Sequence, residues 1–241
     1  MQGGLAEGHR QAQAAMGRVG LSRAIALERR GRFEHAMQAW RELLDVLPGH
    51  LEAATRLGRL QLGRGESAKA VALFRAVVEQ KPNDIQGRID LANALSNLGR
   101  RDQAASVLRA GLSYDPTSAL THTALGQLAA HTGEMNDAVS HFRTASRLDP
   151  DNPEVHNNLG SVLAETGRLE AALDELQRAA QLAPDNPGML YNLALAQKGA
   201  GQTTAAAATL KHALEVQPGF APAQQLLESL PAEPAVDPVP K

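Results

Sequence analysis

Residues 153–186 read PEVHNNLGSVLAETGRLEAALDELQRAAQLAPDN, and this segment establishes the architecture of the chain. Apolar residues recur at helical spacing on both sides of Gly167, which predicts two amphipathic helices joined by a short turn. Pro153 suits a first helical turn, where its missing N–H is not needed, and Pro184 ends the second helix. Gly167 can adopt the positive φ of a helix stop. The segment therefore predicts one helix–turn–helix unit.

The same unit recurs with a period of 34 residues, and three residue types mark the period independently. The prolines are Pro48, Pro82, Pro116, Pro150, Pro184 and Pro218. The glycines are Gly31, Gly65, Gly99, Gly133, Gly167 and Gly201. The alanines are Ala36, Ala70, Ala104, Ala138, Ala172 and Ala206. A fixed period of this length is the signature of a repeat protein.

Positions within a unit are counted from its first residue, and the first unit starts at Gly17. Small residues at the eighth and twentieth positions of each unit predict that the two helices approach closely. The eighth residues are Ala24, Gly58, Ala92, Gly126, Gly160 and Ala194. This pattern resembles the tetratricopeptide-repeat family. The resemblance implies an all-α fold, a right-handed superhelical solenoid of antiparallel helix pairs. Unit one departs from the pattern because Gly20 and Arg23 replace large apolar residues, so its first helix is expected to be distorted or only partly packed.

The repeat register divides the chain into four segments. We expect an N-terminal helix or cap over residues 1–16 and six tandem repeats over 17–220. Residues 221–230 are expected to form a capping helix that covers the last repeat, as repeat arrays require at their ends. Residues 231–241 are predicted to be a proline-rich disordered tail.

Composition argues against several function classes. The net charge of −2 and the aromatic content of 3% disfavour nucleic-acid binding, and the 34-residue period differs from that of the related RNA-reading pentatricopeptide repeats. There is no cysteine, and no apolar run is long enough to span a membrane. No phosphate-loop motif occurs, and Gly63–Ala68 matches GxGxxA without a preceding strand, so no cofactor is expected. The compartment stays open: the cytoplasm is favoured, and the periplasm applies if an upstream signal was removed.

The eight histidines do not form a recognisable metal motif. His122 and His156 occupy the same position of adjacent units, and that separation is too large for one ion to bridge. No HExxH occurs, and no histidine pair has i, i+4 spacing. We therefore expect no metal site and no catalytic residues.

In the resembled family, the first helices of the units line a concave groove that binds peptides. The resemblance places a set of polar side chains there as candidate peptide-binding residues. They are Arg56, Arg59, Asp90, Asn93, Asn97, Thr123, Gln127, Asn157, Asn158, Ser161, Tyr191 and Asn192. Asn158 and Asn192 resemble two rungs of the asparagine ladder in the O-linked N-acetylglucosamine transferase repeats, which grips peptides by their main chain. The family's carboxylate clamp for chaperone tails is not matched.

These observations predict a non-enzymatic interaction scaffold or adaptor that binds a protein or peptide in the groove. One alternative is a regulatory or substrate-docking module of a larger glycosyl- or sulfotransferase. Another is a self-assembling structural protein, since residues 1–64 carry a net +4 and residues 149–241 a net −7. Unlike charges at the two ends of a repeat array leave weak self-association open.

Overall fold

The computed structural model describes residues 2–231, with side chains from Ala15 onward. Over this range it has thirteen helices and no strand. The chain divides into two compact units, Met1–Pro116 and Thr117–Lys241. The division falls between the third and fourth predicted repeats. Residues 232–241, which hold most of the expected proline-rich tail, lie outside the described residues.

The first unit contains three helix pairs in which each helix packs against the next. Its helices are α1 (Gln2–Arg29), α2 (Phe33–Val46), α3 (Leu51–Gly63), α4 (Ser67–Gln80), α5 (Ile85–Asn97) and α6 (Arg101–Leu112). Trp40, Phe74 and Leu108 hold the same repeat position on the second helix of each pair, and all three are buried. This unit therefore has its core between the paired helices.

The second unit contains three further pairs and one additional helix. Its helices are α7 (Ala119–Thr132), α8 (Met135–Leu148), α9 (Pro153–Glu165), α10 (Leu169–Leu182), α11 (Pro187–Gly199), α12 (Thr203–Val216) and α13 (Ala221–Glu228). Phe142, Leu176 and Leu210 continue the buried series. The short α13 packs against α12, with Ala223 and Leu226 buried.

The helix ends are formed by the glycines that mark the period and by polar residues that cap the following helices. Gly167 has φ +76°, a left-handed conformation that side chains disfavour, and the five other period-marking glycines also have positive φ. The Asp84, Ser118, Asn152 and Asn186 side chains each accept a hydrogen bond from a backbone N–H in the first turn of the helix that follows. The period therefore reflects local backbone chemistry repeated in each unit.

Close helix pairing explains the small residues. A Cβ on Gly160 would lie 2.6 Å from Cγ of Leu176, which is too short for any real contact. Ala138 and Ala172, on the second helices of their pairs, are completely buried. A larger side chain at any of these positions would push the paired helices apart.

Three polar side chains near the start of first helices bond to the end of the preceding repeat. Arg88 Nε donates to the carbonyl of Pro82 at 2.8 Å in the first unit. In the second unit, His156 Nε2 lies 2.9 Å from the carbonyl of Pro150, and Gln224 Nε2 donates to that of Pro218 at 2.9 Å. A proline-terminated helix leaves this carbonyl without an intrahelical partner, so the fourth side chain satisfies it.

The first helix is continuous but incompletely packed. α1 runs as one helix across the boundary expected at residue 16, so Gly20 and Arg23 do not break it. Instead, the absence of large side chains leaves a hollow of about 420 Å³ between α1 and α2, lined in part by Val19 and Leu43. Arg23 forms an ion pair with Glu42 at the side of this hollow. Partial packing, rather than distortion, is therefore the consequence of the departure.

Candidate functional site

The first helices of neighbouring pairs lie against each other within each unit. In the first unit α3 contacts α5, and in the second unit α7 contacts α9 and α9 contacts α11. We call each such surface the inner face of its unit. All twelve candidate residues are on these helices: five on α3 and α5, and seven on α7, α9 and α11.

Charged residues on the inner face of the first unit bond to each other. Arg59 bonds through two nitrogens to Asp90 Oδ2, at 2.9 and 2.7 Å, and so joins α3 to α5. Gln86 donates to the other carboxylate oxygen of Asp90, and Asp90 is only 8% exposed. Arg56 donates to Glu28 on α1 at 3.1 Å. These three candidates therefore stabilise the array as well as lining it.

Glu28 is a residue that the sequence reasoning missed. Its carboxylate accepts hydrogen bonds from Arg56 and, at 3.2 Å, from the indole N–H of Trp40. It occupies the twelfth position of the first unit, which is a groove position in the resembled family, so mapping that unit would have identified it. Asn93 and Asn97, by contrast, are exposed and form no hydrogen bond among the described residues. Their amides are available to a ligand.

Amide groups line the inner face of the second unit. Asn192 Nδ2 donates to Asn157 Oδ1 at 2.9 Å and so links α11 to α9. Asn158, the other residue likened to a ladder rung, is half-buried next to Asn157 on α9. Thr123 donates to the carbonyl of Ala119 within α7, and Gln127 is exposed. Tyr191 packs edge-on against Phe220, with ring centroids 6.0 Å apart, and is half-buried.

A hollow of about 390 Å³ opens between α9 and α11 on this face. Ser161 and Asn192, both candidates, line it together with the carboxylate-bearing Glu165. Its apolar lining comes in part from Leu195 on α11 and Leu176 on α10. Leu176 itself is fully buried, so it forms the floor of the hollow and belongs to the core. Glu165 makes no ion pair or side-chain hydrogen bond among the described residues.

The histidines take part in local hydrogen bonds. His122 Nδ1 lies 3.1 Å from His141 Nδ1, and His156 Nδ1 lies 2.6 Å from Glu175 Oε2. The other nitrogen of His156 faces the Pro150 carbonyl, so both ring nitrogens have partners. Within residues 2–231, no three potential metal-ligating side chains gather into a cation site.

The paired-helix repeats, their positive-φ glycines and their polar inner faces define a helical-repeat protein. One tetratricopeptide-repeat family model matches residues 21–85 and 135–187, and a second matches residues 62–128 and 163–230. The chain belongs to the tetratricopeptide-repeat family. A search of curated proteins finds no match.

Several solved protein structures have the same fold. A thermophilic TPR protein of Thermus thermophilus, TTC0263, is 27% identical over 75% of this chain and 98% of its own, with a TM-score of 0.63. YrrB, a TPR protein described as having an unusual peptide-binding site, is 16% identical over 80% of this chain and 99% of its own (TM-score 0.57). The APC/C Cut9–Hcn1 heterotetramer gives a TM-score of 0.69 at 18% identity over 87% of this chain. The chain spans only 41% of the length of the matched chain in that heterotetramer.

None of the helices that the structure describes combines the length and apolar character needed to cross a membrane.

Proposed function

We propose that this chain is a non-enzymatic scaffold that binds an extended peptide or partner segment on its inner faces. The tetratricopeptide fold is a protein-interaction scaffold in general. The observation that carries the finer proposal is the hollow between α9 and α11, where an apolar floor lies beside the Ser161 hydroxyl and the Asn192 amide. In the Asn157–Asn192 pair, the remaining amide donors and acceptor are those that a peptide main chain requires.

A peptide can replace hydrogen bonds between side chains of the inner face with hydrogen bonds of its own at little cost in free energy. Solvent-accessible polar pairs contribute only about 0.5–1.5 kcal/mol each, so a peptide can replace part of such a pair at little cost. The side chain of Leu195 is 41% exposed, and covering it with a ligand's apolar group adds favourable burial. The unusual peptide-binding site described for YrrB supports the proposal by analogy of fold.

Site-directed crosslinking tests the location of binding. The chain has no cysteine, so Ser161→Cys introduces a single attachment point at the inner hollow. Ala205→Cys, at an exposed position of α12, is the matched control. A photo-crosslinker on residue 161 should capture peptides from a randomised pool, and the same reagent on residue 205 should not. Equal capture at both positions would reject the inner face as the binding site.

A docking module of a larger enzyme would use the same face. The reading frame of the gene beyond Lys241 distinguishes this alternative from a free-standing adaptor, because a glycosyl- or sulfotransferase domain would be encoded next to the repeats.

Self-association is the second candidate function. It is supported by an exposed apolar side chain in the first repeat. The third position is buried in later repeats, as at Ala53 (0% exposed) and Val155 (2%), because the preceding second helix covers it. Val19 occupies this position in the first repeat and is 70% exposed, beside the α1–α2 hollow. The first unit holds 17 basic and 12 acidic residues and the second 7 and 14, so two copies offer each other opposite charge.

A further inference from the structure

A basic hollow lies on the second-helix side of the second unit, away from the inner hollow. It has a volume of about 490 Å³ and is formed by α8 and the start of α10. Arg143, Arg147 and Arg168 line it, together with the hydroxyl-bearing Ser140 and Thr144. Nothing in the proposed inner-face function uses these residues.

The hollow is basic although the second unit as a whole is acidic. The second unit has only 7 Lys and Arg residues against 14 Asp and Glu, yet three of the seven line this one hollow. All three arginines are exposed. A local cluster of this kind in an acidic unit attracts anions that the rest of the unit repels.

No carboxylate neutralises the three guanidinium groups. Arg168 Nη2 donates to the side-chain oxygen of Asn136 at 2.9 Å, and Arg147 Nη2 donates to Thr144 Oγ1 at 3.3 Å. The Arg143 guanidinium makes no hydrogen bond or ion pair among the described residues. Two of the groups are therefore positioned by neutral partners, and all three keep their charge and spare N–H donors.

The hollow contains a single acidic residue, Glu175, which is already engaged. Its Oε2 lies 2.6 Å from Nδ1 of His156, a residue that is 8% exposed. Three arginines against one paired carboxylate leave the hollow with an excess of positive charge.

Arg143 differs from the equivalent basic residues of the other repeats in the residue that lies four positions after it. Equivalent basic residues occur at Arg41, Arg75, Arg109, Arg143 and Lys211. In three of the other four cases the residue four positions later is acidic, namely Asp45, Glu79 and Glu215. Arg143 is followed instead by Arg147. An i, i+4 acid–base pair stabilises a helix, whereas two arginines at this spacing repel each other, so helix stability does not account for the pair.

We propose that the Arg143–Arg147–Arg168 hollow binds a phosphate monoester carried by a partner polypeptide. A phosphate monoester carries between one and two negative charges and three acceptor oxygens, so it forms more charge-assisted hydrogen bonds with the arginines of this hollow than a single carboxylate does. Because the arginines are exposed, the phosphate can be reached while it stays attached to a larger chain. The site lies on second helices, so a ligand there leaves the inner face free.

Fluorescence anisotropy tests the proposal on the intact chain. The probe is a fluorescein-labelled peptide pool with one phosphoserine flanked by randomised positions, and the reference is the same pool with serine. The phosphate adds charge-assisted hydrogen bonds to the arginines, so the phosphorylated pool should bind about tenfold tighter or more. Equal affinity for the two pools would overturn the proposal.

Variants assign the binding to the hollow. Arg143→Gln with Arg147→Gln should abolish the preference for phosphoserine, and so should Arg168→Gln, which lies beyond α8 at the start of α10. Lys211→Gln, at the equivalent repeat position on α12, is the matched control and should retain it. Circular dichroism should give the same melting temperature for all of them, because none of the substituted side chains is buried. A preference that survives both arginine variants would overturn the proposal.

Two further measurements separate the sources of phosphate and the two binding faces. Inorganic phosphate should compete only at much higher concentration than the phosphopeptide pool. If it binds as tightly as the pool, the site takes free phosphate and the polypeptide part of the proposal is wrong. Asn157→Ala with Asn192→Ala should weaken inner-face binding of both pools and still leave the phosphoserine pool the tighter binder, so failure of the inner-face function would not affect this result.

Discussion

Asn192 on α11 donates its side-chain amide to the side-chain carbonyl of Asn157 on α9 across 2.9 Å. The two residues are 35 positions apart, one more than the repeat period, so the bond joins adjacent repeats diagonally. It ties together the helices that flank the inner hollow and leaves an acceptor on Asn192 and a donor on Asn157.

Asn157→Ala combined with Asn192→Ala should weaken the binding of unrelated peptides alike, because main-chain contacts do not depend on side-chain sequence. Each lost hydrogen bond should cost about 0.5–1.5 kcal/mol of binding free energy. Calorimetric titration of several peptides is the measurement, and Gln177→Ala with Gln181→Ala, two exposed amides of α10, is the control. Loss for one peptide only would indicate side-chain recognition instead.

Ala138→Leu and Ala172→Leu should each destabilise the second unit by about 1–3 kcal/mol, because both alanines are completely buried between paired helices. Urea unfolding followed by circular dichroism gives the free energy of unfolding. Ala205→Leu adds the same atoms at an exposed position and should be neutral. If the buried and exposed variants unfold alike, the close helix contact assigned to the twentieth position is wrong.

Gly20→Ala should stabilise the first repeat. A Cβ there would lie 3.4 Å from Cδ1 of Leu43, an ordinary contact, and alanine is favoured over glycine in a helix by about 1 kcal/mol. Hydrogen exchange should be fast near residues 15–30 of the parent chain, where the α1–α2 hollow lies, and slower in the variant.

Gly31→Ala is the control for Gly20→Ala and should have the opposite effect. Gly31 has a φ of +68°, which strains any residue with a side chain. It should lower the free energy of unfolding. The explanation from packing fails if both glycine variants shift stability in the same direction.

Met16→Gln with Val19→Gln should reduce self-association without lowering the melting temperature, because both side chains are largely exposed. Sedimentation velocity at several concentrations, in low and high salt, measures the association and its electrostatic part. Leu120→Gln replaces a similarly exposed leucine of α7 and should have no effect. A parent chain that stays monomeric at high concentration and low salt would eliminate this candidate.

The helix boundaries follow from the sequence because their causes are local. The positive φ of Gly167 and the cap at Asn152 each involve only a few neighbouring residues, and the period repeats them. The burial of Ala172 is equally predictable, since alanine at a constant repeat position indicates close packing. The family and the helix pairs are therefore determined by the sequence alone.

Contacts between repeats depend on distances that no local pattern encodes. Whether Asn192 meets Asn157 or Asn158 is determined by the rotation and spacing of α9 and α11, and those in turn depend on how Gly160 seats against Leu176. The pairing of Arg59 with Asp90 and the grouping of Arg168 with Arg143 likewise join residues 31 and 25 positions apart. A side chain reaches such a partner only when the backbone brings the two together within a few ångströms, so packing between helices decided the polar contacts and the hollows.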